Sequence, residues 1–457
     1  MNSPLKDRTY RRLLAAQVIA LAGTGLSTVA LALLAYDLAG ADAGMVLGTA
    51  LAIKMVAYVG IAPIVGSIAH RLPRRQLLIG LDIARAVSIA CLPLVTELWQ
   101  IYLLIFLLSA CSAGFTPTFQ ATIPDVLQDE AQYTRALSLS RLAYDLENLL
   151  SPTIAAIALV SLTYNALFVA NALGFLVSAF LVLSVRLPDP KPHERERGIW
   201  HNMTFGIRAY VKTPRLRALL ALSLAVASAG AMIIVNTVVY VRDRLGGTDS
   251  DTAVAFAAAG AGSMVVALLL PRFLDRLPDR PIMLMGGAVL GSGLLLGLSE
   301  PGLQFLLVIW FVLGVGSSLV QTPTGRLLRR SAHDGDRPAV YAAQFALSHA
   351  CWLVAYPLAG WAGGVLGPTS AFAVLAAVAL TSTAMALLLW PRHDSGELEH
   401  RHQEQEHKHL HVHDEHHQHA HQGWEGPAPH RHPHYHAPLK HRHSYIIDLH
   451  HPVWPSR

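Results

Sequence analysis

The chain has 457 residues, of which 53% are apolar and 14% charged, with a formal net charge of +5 when histidine is neutral. A composition this apolar excludes an ordinary soluble globular domain, and the modest positive charge gives no reason to invoke nucleic acid. The three cysteines, Cys91, Cys111 and Cys351, all lie inside apolar blocks and offer no disulfide framework.

Taken in order, the apolar blocks predict twelve helical spans, at roughly 13–36, 45–68, 76–96, 100–122, 136–160, 164–186, 217–241, 252–273, 281–299, 303–325, 340–365 and 370–390. Each approaches the length of about 20 residues that carries a helix across a hydrocarbon core. The first block follows Lys6, Arg8, Arg11 and Arg12 but runs too long for a signal-peptide core. Between the sixth and seventh lies a polar stretch with Pro188, Pro190, Pro192 and a charged run from His193 to Arg197. The expected organisation is an N-terminal six-helix bundle (1–187), a cytoplasmic linker (188–215), a C-terminal six-helix bundle (216–391) and a tail (392–457). Such a chain has the lipid bilayer as its partner, and a monomer is expected.

Basic residues set the orientation. The N-terminus, the 71–75 loop, the linker, the 272–280 loop and the 326–337 region are basic and fall on one side. The opposite loops at 37–44, 96–100 and 366–369 carry few cations, with Arg242 and Arg244 as the exception. Both termini are therefore expected in the cytoplasm of a bacterial inner membrane.

The halves repeat. Gly66 to Arg75, with His70, Arg71, Arg74 and Arg75, closes the second span; Pro271 to Arg280, with Asp275, Arg276 and Arg280, closes the eighth at an offset of 205. Thr116-Pro117-Thr118 recurs as Thr322-Pro323-Thr324, and Pro152 recurs as Pro357. Matches at one offset indicate parallel six-helix repeats. In these loops the chain resembles the major facilitator superfamily, whose signature there is Gly-x-x-x-Asp-Arg-x-Gly-Arg-Arg/Lys. The first copy departs from it with His70 for Asp and Pro73 for Gly, the second with Pro271, Pro278 and Asp279. The resemblance covers about residues 8–391. It implies an all-α membrane fold of twelve transmembrane helices, with these loops as a conformational latch.

Charged groups at membrane depth cost on the order of 2.5–3.5 kcal/mol each, so each needs a reason. Arg141, Tyr144, Asp145 and Asn148 share one face of span five, and Glu147 points away from it where the helix is regular, a geometry that Pro152 can disturb. That face suits a cavity exchanging a dication for protons, or holds a structural Arg141–Asp145 pair. Span eleven carries Tyr341, Phe345, His349, Trp352 and Tyr356 along one stripe, flanked by Gln344, Ser348 and Cys351. His349 reads as a ligand, a proton carrier or a hydrogen-bonded core residue. Asn236 with Met232, and Gln17 with Thr24 and Thr28, give the two lead helices polar faces that line a cavity in the resembling family or bond between helices. Asp82 with Arg85 reads as a structural or gating pair, and Lys54 as a functional charge or a snorkelling one.

After Trp390 come 19 of the chain's 24 histidines, interleaved with other residues and without cysteine. Neutral imidazole suits borderline divalent metals such as Ni²⁺, Co²⁺, Zn²⁺ and Cu²⁺. The candidate ligands are His407, His409, His411, His413, His416, His417, His419, His421, His430, His432, His434 and His436. A tract of this composition is expected to be disordered, and a merely solvated tail is the competing reading. With this tail added, the chain resembles bacterial nickel-resistance exporters of the same superfamily.

There is no Gly-x-x-x-x-Gly-Lys-Ser/Thr motif and no hydrolase context, so the chain is not expected to be an enzyme and no cofactor is required. Uphill transport must then draw on an ion gradient. The expected function is efflux of a divalent transition metal, Ni²⁺ or Co²⁺, by proton antiport, conferring nickel resistance. The alternatives are an exporter of drugs or siderophore-like organics, and a membrane-anchored metal sensor or storage protein.

Overall fold

Long apolar segments become helices because lipid offers the backbone no hydrogen-bond partner. The computed structural model describes all residues except 1–2, 40–42, 70–71, 160, 189–198, 275, 393–396, 402–404, 412–429, 437–439, 445, 447–453 and 455–457. The first half contains α1 (Arg8–Ala39), α2 (Ala43–Ile68), α3 (Arg74–Ala90), α4 (Leu98–Val126), α5 (Glu130–Leu159) and α6 (Tyr164–Leu183). Short polar residues start several of them. Asp7 Oδ1 accepts from the Tyr10 amide at 2.8 Å, and Asp129 Oδ1 from the Gln132 amide at 2.8 Å.

The expected linker contains a helix, α7 (Ile199–Lys212). The second half follows with α8 (Pro214–Ala231), α9 (Thr237–Val239), α10 (Asp249–Leu269), α11 (Pro271–Leu274), α12 (Asp279–Leu296), α13 (Leu303–Arg329), α14 (Arg337–Val365) and α15 (Pro368–Leu389). A π-helical turn over Met232–Asn236 joins α8 to α9, and the two run as one rod from Pro214 to Arg244.

Among the described residues, ten helical rods are long and apolar enough to cross a membrane. The helices α5 and α14, of 30 and 29 residues, are not among the ten. Each carries a polar stripe, Arg141, Asp145 and Glu147 in α5 and Gln344, Ser348 and His349 in α14, which lowers its mean hydropathy.

The repeat appears in the packing. In the first half α1 packs on α6, α2 on α4, and α3 on both α4 and α6. In the second, α8 packs on α15, α10 on α13, and α12 on both α13 and α15. The halves meet where α2 lies against α14 and α5 against α10. Gly262 of α10 lets the two helices of its pair touch: a Cβ there would collide with the carbonyl of Phe311 in α13.

The tail corrects an expectation. Parts of a segment expected to be disordered form strands β1 (Glu397–Arg401), β2 (Gln405–His411), β3 (His430–His436) and β4 (Lys440–Ser444). β1 pairs antiparallel with β4, and β2 with β3. The interleaving that reads as low complexity is also a period-two alternation, which is the period of a strand.

Candidate functional site

Side chains at the Arg-rich end tie the two halves together. Asp125, at the end of α4, accepts from Arg74 of α3 through Oδ2 and from Arg337 of α14 through Oδ1. One carboxylate thus ties its own half to the other. Around it, Arg326 of α13 reaches Glu130 of α5 at 3.1 Å, and Arg329 donates to the Gln128 carbonyl at 2.6 Å. The Tyr133 and Tyr341 hydroxyls meet at 2.8 Å, and Tyr341 donates to the Gly325 carbonyl at 3.1 Å. At Gly66, a Cβ would run into Ala342 of α14, so glycine permits α2 to close against the opposite half.

The Arg-rich end contains a feature that sequence reasoning missed. At the repeat offset, Arg74 corresponds to Asp279 and Asp125 to Arg330. The Arg74–Asp125 pair therefore recurs as Asp279–Arg330 at 3.9 Å, with the signs exchanged, and Asp279 also lies 3.6 Å from Arg326. Each of these pairs closes within its own half, and the halves are tied across the seam by Arg337 with Asp125 and by Arg326 with Glu130. Aligning the repeats for charge as well as for proline would have found the exchange of signs.

The other expected latch residues divide. Arg75 donates to the Leu183 carbonyl within its own half, and Arg280 donates to the carbonyls of Trp390 at 3.2 Å and Leu387 at 3.4 Å. Arg276 is exposed. His70, Arg71 and Asp275 lie outside the described residues.

Deeper in the seam, Arg141 is the junction. Its guanidinium pairs with Asp145 at 2.9 Å, donates to Ser263 of α10 at 3.0 and 3.1 Å, and donates to Gln321 of α13 at 3.0 Å. Asp145 is 4% exposed; one oxygen takes this pair, while Oδ2 is buried with no hydrogen-bond partner. The two residues share a helix face, as i, i+4 spacing requires, but the arginine spends most of its donors on the other half.

A second cluster spans α2, α5 and α14. The Lys54 ammonium stands 5.6 Å from the Tyr58 ring centroid, and Tyr58 packs edge-on against His349 at 4.7 Å. Phe345 packs on Tyr58 at 4.9 Å and on His349 at 4.2 Å. The Nδ1 of His349 lies 2.7 Å from the Phe345 carbonyl. A neutral ring that donates there leaves Nε2 with its lone pair. Glu147 is half-buried on α5 within electrostatic reach of Lys54. Tyr144 bonds to Gln17 of α1, which also accepts from Ser140 at 3.0 Å. The side chain of Asn148 is outside the described residues.

Other sequence candidates sit in helix packing. Asn236 donates to the Ala359 carbonyl at 3.2 Å, and the Cys351 sulfur lies 3.9 Å from the Leu220 carbonyl. Asp82 and Arg85 pair deep inside the first half. Ser178 donates to the aspartate at 2.8 Å, and Phe115 and Phe175 flank the guanidinium at 3.8 and 4.5 Å. Among the residues whose side chains are described, no group of three or more His, Cys, Asp or Glu comes together.

In the tail, the ladder sets His407 opposite His434, His409 opposite His432, and His411 opposite His430. His436 stands opposite Gln405. His413, His416, His417, His419 and His421 lie outside the described residues. Beyond the strands, Trp454 packs with Phe205 and Ala209 of α7 and Ala339 of α14, its ring 5.3 Å from the Arg215 guanidinium. Trp454 therefore rests at the Arg-rich end, two residues along α14 from Arg337 at its contact with Ala339.

Comparison with known proteins agrees with this architecture. The chain is 23% identical over 337 residues to an uncharacterised MFS-type transporter, YfiS, of Bacillus subtilis (strain 168), covering 71% of this chain and 79% of that one. It is 27% identical over 149 residues to the macrolide efflux protein A of Streptococcus pyogenes, covering 32% of this chain and 36% of the relative. Among solved structures it resembles the human organic anion transporter MFSD10, with a TM-score of 0.72 at 12% identity, over 83% of this chain and 99% of that one. It also resembles a bacterial homologue of the iron transporter ferroportin in its outward-facing state, with a TM-score of 0.67 at 14% identity, over 83% and 98%. The family description Major Facilitator Superfamily matches residues 13–289 and 220–432, and the chain belongs to that superfamily as a multi-pass membrane transporter.

Proposed function

We propose that the chain exports a divalent transition metal, Ni²⁺ first and Co²⁺ beside it, from the bacterial cytoplasm in exchange for protons, with the Arg-rich end and both termini on the cytoplasmic side. The observation that carries this reading is the tail after Trp390, which holds 19 of the chain's 24 histidines and no cysteine. Asp145, with one buried oxygen unpartnered, and Glu147, beside Lys54, are the groups proposed to alternate between cargo and proton. Metal ligands must be deprotonated to bind, and that requirement supplies the coupling. Exporting a dication against about 100 mV costs about 4.6 kcal/mol. Two entering protons cancel that electrical cost, and a third adds the potential as drive.

A second reading, export of organic molecules, is favoured by the aromatic character of the seam at Tyr58, Phe345 and His349 and by the macrolide efflux relatives. Flux in sealed inside-out vesicles separates the two. Acidifying the lumen is expected to drive Ni²⁺ uptake that Glu147→Gln or Asp145→Asn reduces. Uptake of a macrolide with no movement of Ni²⁺ would replace the metal reading with the organic one. Metal retained by cells that make the protein would point instead to storage.

A further inference from the structure

Three uncommitted polar groups lie together in the seam of α2, α5 and α14. The Lys54 ammonium rests 5.6 Å from the Tyr58 ring centroid and makes no hydrogen bond or ion pair among the described residues. Glu147 likewise makes none among them, although Lys54 lies within electrostatic reach of it. His349 is within the same reach of Lys54, and with Nδ1 held at the Phe345 carbonyl its Nε2 is uncommitted. All three side chains are half-buried, and the rings of Tyr58 and Phe345 pack together across α2 and α14 beside them. A charge at membrane depth is costly unless it is paired. An ammonium and a carboxylate that attract without closing a pair leave the position between them for a ligand.

A bare dication does not satisfy this set. Glu147 and His349 each offer a donor, whereas a divalent transition metal takes at least about four ligands. Among the residues whose side chains are described, no third His, Cys, Asp or Glu joins them. Lys54 also repels a bare cation. A metal that arrives already held by a polycarboxylate meets both objections: the chelator brings the missing oxygen ligands, and its remaining negative charge suits the ammonium. From this arrangement we infer that the cargo is carried as a metal–polycarboxylate chelate. Lys54 takes a carboxylate of the chelator, Glu147 and His349 Nε2 take open positions on the metal, and Tyr58 and Phe345 cover the carbon skeleton. The metal in this chelate rests on the export reading above; the place of the chelator rests on Lys54, Glu147 and His349.

The probe is Ni²⁺ with citrate, whose complex keeps a negative charge. Sealed inside-out vesicles holding the full-length chain receive labelled nickel at one fixed free Ni²⁺ concentration, with and without labelled citrate. Nickel uptake into an acid lumen is expected to be about tenfold or more faster with citrate, and the citrate label is expected to enter with it. Equilibrium dialysis of the purified full-length chain should show citrate binding that requires Ni²⁺. The citrate label is read there rather than nickel, so that ions held by the histidines of the tail are not counted. Lys54→Gln is expected to weaken this binding by about tenfold or more and to abolish the advantage of citrate in flux, while Lys54→Arg, which keeps the charge, retains both. Equal nickel uptake without citrate, exclusion of the citrate label, citrate binding that ignores Ni²⁺, or binding that Lys54→Gln leaves unchanged would each overturn the chelate site. Chelate binding that depends on Lys54 in a chain that moves no nickel ends the export reading alone. Nickel uptake with citrate left outside ends the chelate site alone.

Discussion

Replacing Asp125 by asparagine should open the Arg-rich end. In the closed arrangement this side chain accepts from Arg74 within its own half and from Arg337 across the seam, and all three side chains are at most 11% exposed. Only the Arg337 bond is lost when the halves part, so only that bond biases the gate. A hydrogen bond between charged groups contributes about 1.5–3 kcal/mol, and the amide retains a neutral acceptor, so the lower figure applies. About 1.4 kcal/mol is tenfold in an equilibrium constant, and the closed-to-open ratio should fall by about tenfold. Spin labels at the exposed positions Gln76 and Leu277, in a background without the three cysteines, report the separation of the halves by pulsed dipolar spectroscopy. Asp125→Asn and Arg337→Gln should both move population to the longer distance, and Arg74→Gln should not. If Arg74→Gln shifts the distribution as far as Arg337→Gln, or if none of them shifts it, Asp125 is not the gate's cross-tie.

The same labels test the tyrosine contact. Tyr341 donates to Gly325 within its own half, so only the Tyr133–Tyr341 bond is lost when the halves part; Tyr133→Phe and Tyr341→Phe should each shift the equilibrium by about 1 kcal/mol toward the longer distance, and no shift from either would refute the contact's role. Gly262→Ala forces a methyl against the Phe311 carbonyl and should lower stability by about 1–3 kcal/mol in thermal unfolding, whereas Gly260→Ala, with open space around it, should not; equal behaviour would refute the close approach of α10 and α13. Trp454→Ala should speed hydrogen exchange in α7, which loses the indole covering Phe205 and Ala209, and unchanged exchange would mean that the docked end contributes nothing to that helix.

Much of the site was legible along the chain as individual residues but not as pairings. Helical spacing put Arg141 and Asp145 on one face, and the pair is there at 2.9 Å. Nothing in that spacing told that Arg141 would direct its remaining donors to Ser263 and Gln321, more than 100 residues away. Asn236 and Cys351 have the polarity of site residues, and their depth in a helix gave no sign that the backbone carbonyls of Ala359 and Leu220 would be their neighbours.

What the amino-acid order determined by itself is whatever depends on local periodicity and composition: apolar runs of bilayer length, a repeat at a fixed offset, basic loops on one side and a tail of imidazoles. Those properties follow from transfer free energy and helix geometry, which act over one or two turns. Only the tertiary structure decided which charges neutralise which. Asp125 with Arg337, Arg141 with Gln321 and Tyr133 with Tyr341 are joined by the closure of two bundles, and a cross-bundle contact leaves no period in either strand of sequence. The tail divides the same way. Its alternation is local, but the register that sets His409 opposite His432 arises from backbone pairing across a long connection.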